Sequence, residues 1–145
     1  MKIPSDIAIK SILKPGSVFY FIEESFPSQE PHYFVVLNHE PLTENLLLMV
    51  NATSNVADRR KWVARVGLPA KTLVEANHSK CNFLDKESVF NCNSPIIRPL
   101  QTLIEKYEDS KLGLKGNVTT AVLEELRQGI VASPLVDNNT KKMIQ

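Results

Sequence analysis

The amino-acid sequence predicts a mainly β fold of the α+β class, in which a small antiparallel sheet or barrel precedes two amphipathic helices. The first half holds three apolar runs rich in β-branched and aromatic residues, separated by polar loops. In the second half, apolar residues recur at steps of three and four, as on a helix with one buried face. At 145 residues the chain has the length of a single domain. We expect a barrel core over about 13–95, a helical part over about 96–134 and a polar tail over 135–145.

The three apolar runs predict the first three strands. A Lys-Pro-Gly turn at 14–16 precedes the run at 17–22, and the next two runs cover 32–38 and 46–54. His32 begins the second run, and Thr53 and Ser54 end the third. The sequence therefore predicts polar groups at strand ends, where a rigid sheet can hold them.

The segment 58–65 places four cations around Trp62 and is interpreted as a loop or strand edge. Alternating polar and apolar residues at 71–76 predict a fourth strand, and 88–91 predicts a short fifth strand after a loop from Asn77 to Lys86. About five strands thus precede residue 95.

The helical period begins near residue 97. It predicts an amphipathic helix over 97–110 with Pro99 in its first turn, where the missing N–H costs little. The glycine-containing segment 111–116 predicts a loop, and a second helix follows from about 119 to 130, capped by Thr119 or Thr120. The residues after Pro134 predict a frayed polar tail.

Composition limits the class of partner and the compartment. Seventeen Lys and Arg against sixteen Asp and Glu leave a net charge of +1, so nucleic-acid binding would need a local basic patch. No apolar run approaches the roughly 20 residues that span a bilayer, and residues 1–6 lack the apolar core of a secretory signal. We therefore expect a cytoplasmic protein without membrane contact. Cys81 and Cys92 are expected to be thiols, and their spacing gives no metal site. No metal or other cofactor is expected.

Three segments of the first half resemble the PemK/MazF-like toxin family. They are Lys14-Pro15-Gly16-Ser17-Val18-Phe19, Pro31-His32-Tyr33-Phe34-Val35-Val36-Leu37 and Val50-Asn51-Ala52-Thr53-Ser54, within a resemblance that covers roughly 13–92. The resemblance implies a small SH3-like barrel, metal-independent endoribonuclease activity on single-stranded RNA, a homodimer and inhibition by a cognate antitoxin. Members typically carry an Arg-Pro pair at the start of the second strand, where this chain has His32 and Tyr33.

The residues that metal-free RNA cleavage needs are all present. Imidazole titrates near neutral pH, so His32 and His78 are the candidate acid and base, and Thr53 or Ser54 can donate a hydrogen bond to the phosphate. Thr53 also aligns with a functional threonine of the family. The candidate RNA contacts are the cations that can neutralise phosphate and the aromatic ring that can stack on a base: Arg59, Arg60, Lys61, Lys80 and Trp62.

Two other functions remain open at this stage. The same barrel can be a non-catalytic RNA-binding or protein-interaction module, in which the absent Arg-Pro pair records a loss of cleavage. The third alternative is an unrelated hydrolase that uses Cys81 or Cys92 with His78. Purely structural interpretations also remain open. They are His32 as an exposed edge residue, His78 as part of a polar loop, His39 as a surface residue and the basic segment as a solvated loop.

Overall fold

The computed structural model of the chain describes residues 3–145, which form an α+β fold around an antiparallel sheet. Seven strands lie in the described range: β1 Ser17–Phe21, β2 His32–Val36, β3 Leu46–Thr53, β4 Leu73–Ala76, β5 Ser88–Asn91, β6 Ile96–Pro99 and β7 Gly113–Asn117. The same range holds six α-helices: α1 Ser5–Ile12, α2 Pro41–Glu44, α3 Val56–Val66, α4 Leu100–Glu108, α5 Thr120–Ala132 and α6 Asn138–Lys142. A 3₁₀ turn, Ala70–Thr72, leads into β4.

The strands pair in the order β4-β5-β3-β2-β1-β7, and β6 pairs with the first half of β3. All of the pairs are antiparallel. Within the described residues the outermost strands β4 and β7 do not pair with each other, so the sheet is not closed. The α+β class and the antiparallel sheet are confirmed, whereas the closed barrel is not.

Two hydrophobic clusters form because successive strand side chains point to opposite faces of the sheet. On one face, Val18, Val35 and Val50 are in register and belong to the same buried cluster as Leu126 and Ile130 of α5. On the other face, aromatic residues of β1 and β2 cluster with apolar residues of α1 and α4, and Phe21 stacks on Phe34 at a centroid distance of 4.2 Å. Helices thus cover both faces, and the ends of the strands are left for other roles.

The predicted strands of the first half are confirmed with small shifts in their ends. Ser88–Asn91 has the predicted bounds, and the strand predicted at 71–76 begins at Leu73 because Ala70–Thr72 forms a 3₁₀ turn. The second terminal helix is also confirmed, as α5. Thr119 is its N-cap, and its side chain accepts a hydrogen bond from the Val122 N–H at 3.2 Å.

The interpretation of 58–65 as a loop or strand edge was wrong, because the segment lies in α3. Among its residues only Val63 is buried, so the helical period carries almost no apolar signal. The helix ends at Gly67, which adopts a left-handed φ of 84° and donates its N–H to the Val63 carbonyl at 2.9 Å.

Predictions for the second half need three corrections. The helix predicted over 97–110 is confirmed as α4, but it begins at Leu100 because Ile96–Pro99 pairs with β3 as strand β6 and Pro99 ends that strand. The loop predicted at 111–116 contains most of β7, which pairs with β1. The predicted frayed tail contains α6, and Val136 and Ile144 are buried there. Tertiary pairing and docking override the local pattern in all three places.

Candidate functional site

A polar cavity of about 420 Å³ lies at the end of the sheet where β1 and β3 end and β2 and β5 begin. Three of the four predicted catalytic residues, His32, Thr53 and Ser54, line it together. The full lining, called the polar cavity below, is Tyr20, Ser28, Glu30, Pro31, His32, Tyr33, Ala52, Thr53, Ser54, Asn55, Leu84, Asp85, Lys86 and Ser88.

Strand pairing places His32 and Thr53 at this end of the sheet. Phe34 of β2 pairs with Asn51 of β3. His32 lies two residues before Phe34, and Thr53 lies two residues after Asn51, so both fall at the same end of neighbouring strands and on the same face. A one-residue slip in register would separate them, which is why the pairing itself determines the site.

The His32 ring is half-buried at the edge of this cavity. Its centroid lies 5.6 Å from the Phe26 ring and 6.5 Å from the Phe34 ring, both at edge-to-face angles. The Nδ1 atom is buried and has no hydrogen-bond partner. A ligand in the cavity can therefore exchange a proton or a hydrogen bond only with Nε2.

His78 lies beside the cavity and is not one of its lining residues. Its ring is exposed, and Nδ1 lies 3.0 Å from the carbonyl oxygen of Leu84, which does line the cavity. Because a carbonyl only accepts, Nδ1 carries the proton and Nε2 of the neutral ring keeps its lone pair. The structure thus places the fourth predicted catalytic residue outside the polar cavity, next to the lining residue Leu84.

None of the five predicted RNA contacts lines the polar cavity. Arg60 forms a bidentate ion pair with Glu75, and the Lys80 ammonium lies 2.7 Å from a carboxylate oxygen of Glu125. The Arg60 hydrogen bond lowers the pKa of Glu75, so this carboxylate stays charged opposite the guanidinium. These two cations are therefore each paired with a carboxylate of the protein.

The other three predicted contacts belong to α3, which begins next to the cavity residue Asn55. Arg59 and Trp62 are half-buried and Lys61 is exposed. Lys80 lines a second, smaller pocket of about 210 Å³, which shares Ser88 with the polar cavity. The predicted basic segment is thus a helix flanking the site.

The sequence reasoning missed five chemically important lining residues: Tyr20, Glu30, Tyr33, Asp85 and Lys86. The two tyrosine rings pack together at a centroid distance of 4.4 Å. Burial, followed by the charges of Tyr20 and Asp85, raises the pKa of Tyr33, so its hydroxyl stays protonated. Both tyrosines belonged to predicted strands, but nothing in the local pattern of 28–31 or 84–88 indicated that these segments close over the strand ends.

The two cysteines do not form a reactive site. Burial raises the pKa of the Cys81 thiol, and burial raises that of Cys92 to about 12. A thiol is a weak nucleophile in its protonated form. Neither cysteine lines the polar cavity, so the alternative of a cysteine hydrolase has no support in this geometry.

No model of a known protein family matches the chain, and no curated protein matches it. Within residues 3–145, no three His, Cys, Asp or Glu side chains are grouped so that they could hold a metal ion. None of the helices in that range combines the length and the apolar character that crossing a bilayer requires.

Proposed function

We propose that the protein is a metal-independent endoribonuclease of the PemK/MazF-like toxin type, which acts on single-stranded RNA in the polar cavity. The observation that carries the proposal is the convergence of His32, Thr53 and Ser54 on one open cavity. Thr53 and Ser54 lie in a segment that resembles that family, whereas His32 stands where its members typically carry an Arg-Pro pair. The proposal takes the antiparallel sheet as a form of the SH3-like small barrel that is open between β4 and β7.

The proposed reaction is attack of a ribose 2′-hydroxyl on the neighbouring phosphorus. In this scheme the attacking ribose extends out of the polar cavity to the exposed His78 ring, and its 2′-hydroxyl proton passes to the lone pair on Nε2 of His78. The new O–P bond forms, and the bond from phosphorus to the 5′-oxygen breaks. Nε2 of His32 donates a proton to that leaving oxygen. The products are a 2′,3′-cyclic phosphate and a 5′-hydroxyl. This step consumes no water, and its proton transfers use the two histidines instead of a metal ion.

The charged intermediate needs donors around the phosphate. The hydroxyls of Thr53 and Ser54 and the ammonium group of Lys86 all belong to the cavity lining and supply them. Thr53 Oγ1 accepts a long hydrogen bond from the Asn55 N–H at 3.4 Å, which leaves its own proton free for the ligand. Lys86 replaces Arg60 and Lys80 as the cation nearest to the reacting phosphate in this scheme.

The test is cleavage of a single-stranded RNA oligonucleotide in EDTA by the wild-type protein, His32→Ala and His78→Ala. We expect each substitution to lower kcat about 100-fold or more, because each removes a proton-transfer group. His39→Ala is the matched control, since His39 is exposed just beyond the opposite end of β2 and should leave kcat unchanged. Intact RNA with the wild-type protein, or full activity in His32→Ala, would overturn the proposal.

The charge of the cavity favours a second candidate, a binding module without catalysis. Glu30 and Asp85 place two carboxylates in the lining, against the single cation of Lys86. Two carboxylates weaken the attraction for a phosphate. Fluorescence anisotropy with the same RNA distinguishes the candidates: binding that weakens steeply with salt, without cleavage, identifies an RNA-binding module. No binding at all leaves a protein-interaction module.

We extend the proposal to a cytoplasmic homodimer that a cognate antitoxin holds inactive, and its support is the family resemblance alone. The oligomeric state is measured by light scattering coupled to size-exclusion chromatography. A small antitoxin encoded next to this chain should suppress RNA cleavage when the two are mixed. A strictly monomeric enzyme with full activity would remove the dimer from the proposal and leave the reaction in place.

A further inference from the structure

A second groove adjoins the polar cavity and has a different chemical character. It holds about 610 Å³, lies between the end of β1 and the segment 110–113 after α4, and is mostly apolar. We name it the Leu112 groove; its principal lining residues are Phe21, Ile22, Gln29, Lys111 and Leu112. Tyr20 and Pro31 line both the groove and the polar cavity, so one ligand can occupy the two together.

The groove offers apolar surface together with a few polar groups. Ile22 is 38% exposed, although a side chain of this kind is normally buried. Lys111 is exposed and has no carboxylate within salt-bridge distance among residues 3–145. The Gln29 amide donates to the carbonyls of Phe26 at 2.9 Å and Glu24 at 3.3 Å, which leaves its oxygen free to accept.

The segment that follows β1, on one side of the groove, is held in place by ion pairs and hydrogen bonds. Glu23 is 4% exposed and forms a salt bridge with Arg98 at 2.7 Å. Lys106 donates to Glu24 at 2.7 Å and to the Ile22 carbonyl at 3.1 Å. These contacts tie the segment after β1 to β6 and α4, so the groove does not have to be ordered by its ligand.

We propose that the Leu112 groove is a subsite for a nucleobase of the strand whose phosphate lies in the polar cavity. A base is joined to its phosphate through a single ribose, and the two sites share a wall. The apolar surface of Ile22 and Leu112 fits the face of a planar ring, Lys111 fits a flanking phosphate, and the Gln29 oxygen fits an amino group on the base edge. The volume lies within the roughly 300–1,000 Å³ typical of small-molecule sites. The inference rests on the proposed function, which identifies this strand as single-stranded RNA.

The test follows backbone amide signals by NMR during titration with adenosine 5′-monophosphate, ribose 5-phosphate or inorganic phosphate. We expect all three to shift signals of Thr53 and Ser54. Only adenosine 5′-monophosphate should also shift Ile22 and Leu112. Identical shifts from adenosine 5′-monophosphate and ribose 5-phosphate, or no binding of the nucleotide, would overturn the subsite.

Substitutions supply the second measurement. Ile22→Ala should weaken adenosine 5′-monophosphate binding about tenfold and leave ribose 5-phosphate binding unchanged, because the lost contact is with the base. Ile7→Ala is the matched control, since Ile7 is 55% exposed on α1 and lines neither site. Equal affinity of Ile22→Ala and wild type for the nucleotide would contradict the proposal.

The cleavage assay separates the two proposals. Base-dependent shifts in a protein that leaves RNA intact would keep the subsite and remove the endoribonuclease. Cleavage without base-dependent shifts would keep the enzyme and remove the subsite.

Discussion

Polar side chains lie at both ends of β2, but their hydrogen-bond partners differ between the two ends. At one end, called the closed end, the Asn38 side chain accepts from the Leu48 N–H at 3.0 Å and donates to the Leu46 carbonyl at 2.8 Å and to Glu44 at 3.0 Å. Arg127 of α5 donates from Nε to the Leu37 carbonyl at 2.8 Å there. At the other end, called the open end, His32 borders the polar cavity.

Each end holds one buried side-chain nitrogen without a partner, Arg127 Nη2 and His32 Nδ1, among the residues described. The unpaired nitrogen is therefore not what distinguishes the ends. At the closed end the neighbouring polar groups bond to the protein and stabilise the fold. At the open end His32, Thr53 and Ser54 line a cavity of about 420 Å³. The two ends therefore differ in whether their polar residues bond to the protein or border an open volume.

The largest expected effect is at the closed end. Asn38→Ala leaves the Leu48 N–H and the Leu46 carbonyl without their side-chain partners inside the protein, so the free energy of unfolding should fall by about 2–4 kcal/mol. Asn55→Ala at the open end is the control and should change it by less than about 0.5 kcal/mol, because Asn55 is exposed and its side chain does not cap α3. Urea denaturation measures both. Equal losses would mean that the two ends do not differ in this way.

A smaller effect is expected from Glu23, which lies in the segment that follows β1 and pairs with Arg98 of β6. Burial raises the pKa of this carboxyl, but hydrogen bonds from Arg98 and Ser25 outweigh burial, so its pKa in the folded protein lies below its usual value of 4.5. The unfolded chain thus binds the proton more readily. The stabilisation from Glu23 is present above pH 4.5 and is lost as the pH falls through the lowered value.

Glu23→Gln tests this linkage. It should lower the free energy of unfolding by about 1–3 kcal/mol at pH 7 and flatten the decline below pH 4.5. Urea denaturation at several pH values gives the slope. Glu24→Gln is the comparison: its pKa is also lowered, chiefly by Lys106, but its side chain is 70% exposed and water weakens the pair, so the change should be smaller. An unchanged acid slope in Glu23→Gln would contradict the argument.

The smallest expected effect on stability belongs to Ser54. Its side chain is exposed at the polar cavity, so Ser54→Ala should change the free energy of unfolding by less than about 0.5 kcal/mol. RNA cleavage should nevertheless fall about tenfold or more, because a donor to the phosphate is lost. Ser79→Ala, at an exposed loop position outside the cavity, is the control and should alter neither quantity. A large loss of stability in Ser54→Ala would mean that this side chain stabilises the fold, as the polar side chains of the closed end do.

Local pattern was sufficient for strands β1–β5 and for three residues of the candidate site. The apolar runs over 17–22, 32–38 and 46–54 predict strands, and polar residues at the ends of such strands predict a site at His32, Thr53 and Ser54. These features depend on neighbouring residues in the chain. The charge-rich segment 58–65 failed as a prediction because α3 buries a single one of its side chains.

Local pattern could not predict contacts between residues that are far apart in the sequence. Arg60 was predicted as a phosphate contact, and the local pattern gave no sign of its ion pair with Glu75, 15 residues away. Lys86 and Asp85 entered the cavity only because their loop closes over the strand ends. Local periodicity indicates neither the pairing of Arg60 with Glu75 nor the position of Asp85 and Lys86 in the cavity lining.

By itself, the sequence determined where the chain is extended over β1–β5 and which polar groups stand at the ends of β2 and β3, because runs of β-prone apolar residues are encoded in adjacent residues. The pairing of β6 with β3 and of β7 with β1 was decided by the tertiary structure. The tertiary structure alone decided which of those groups bond to the protein and which border a cavity. That choice depends on pairs such as Arg98 and Glu23, 75 residues apart, whose meeting is set by strand register and helix docking.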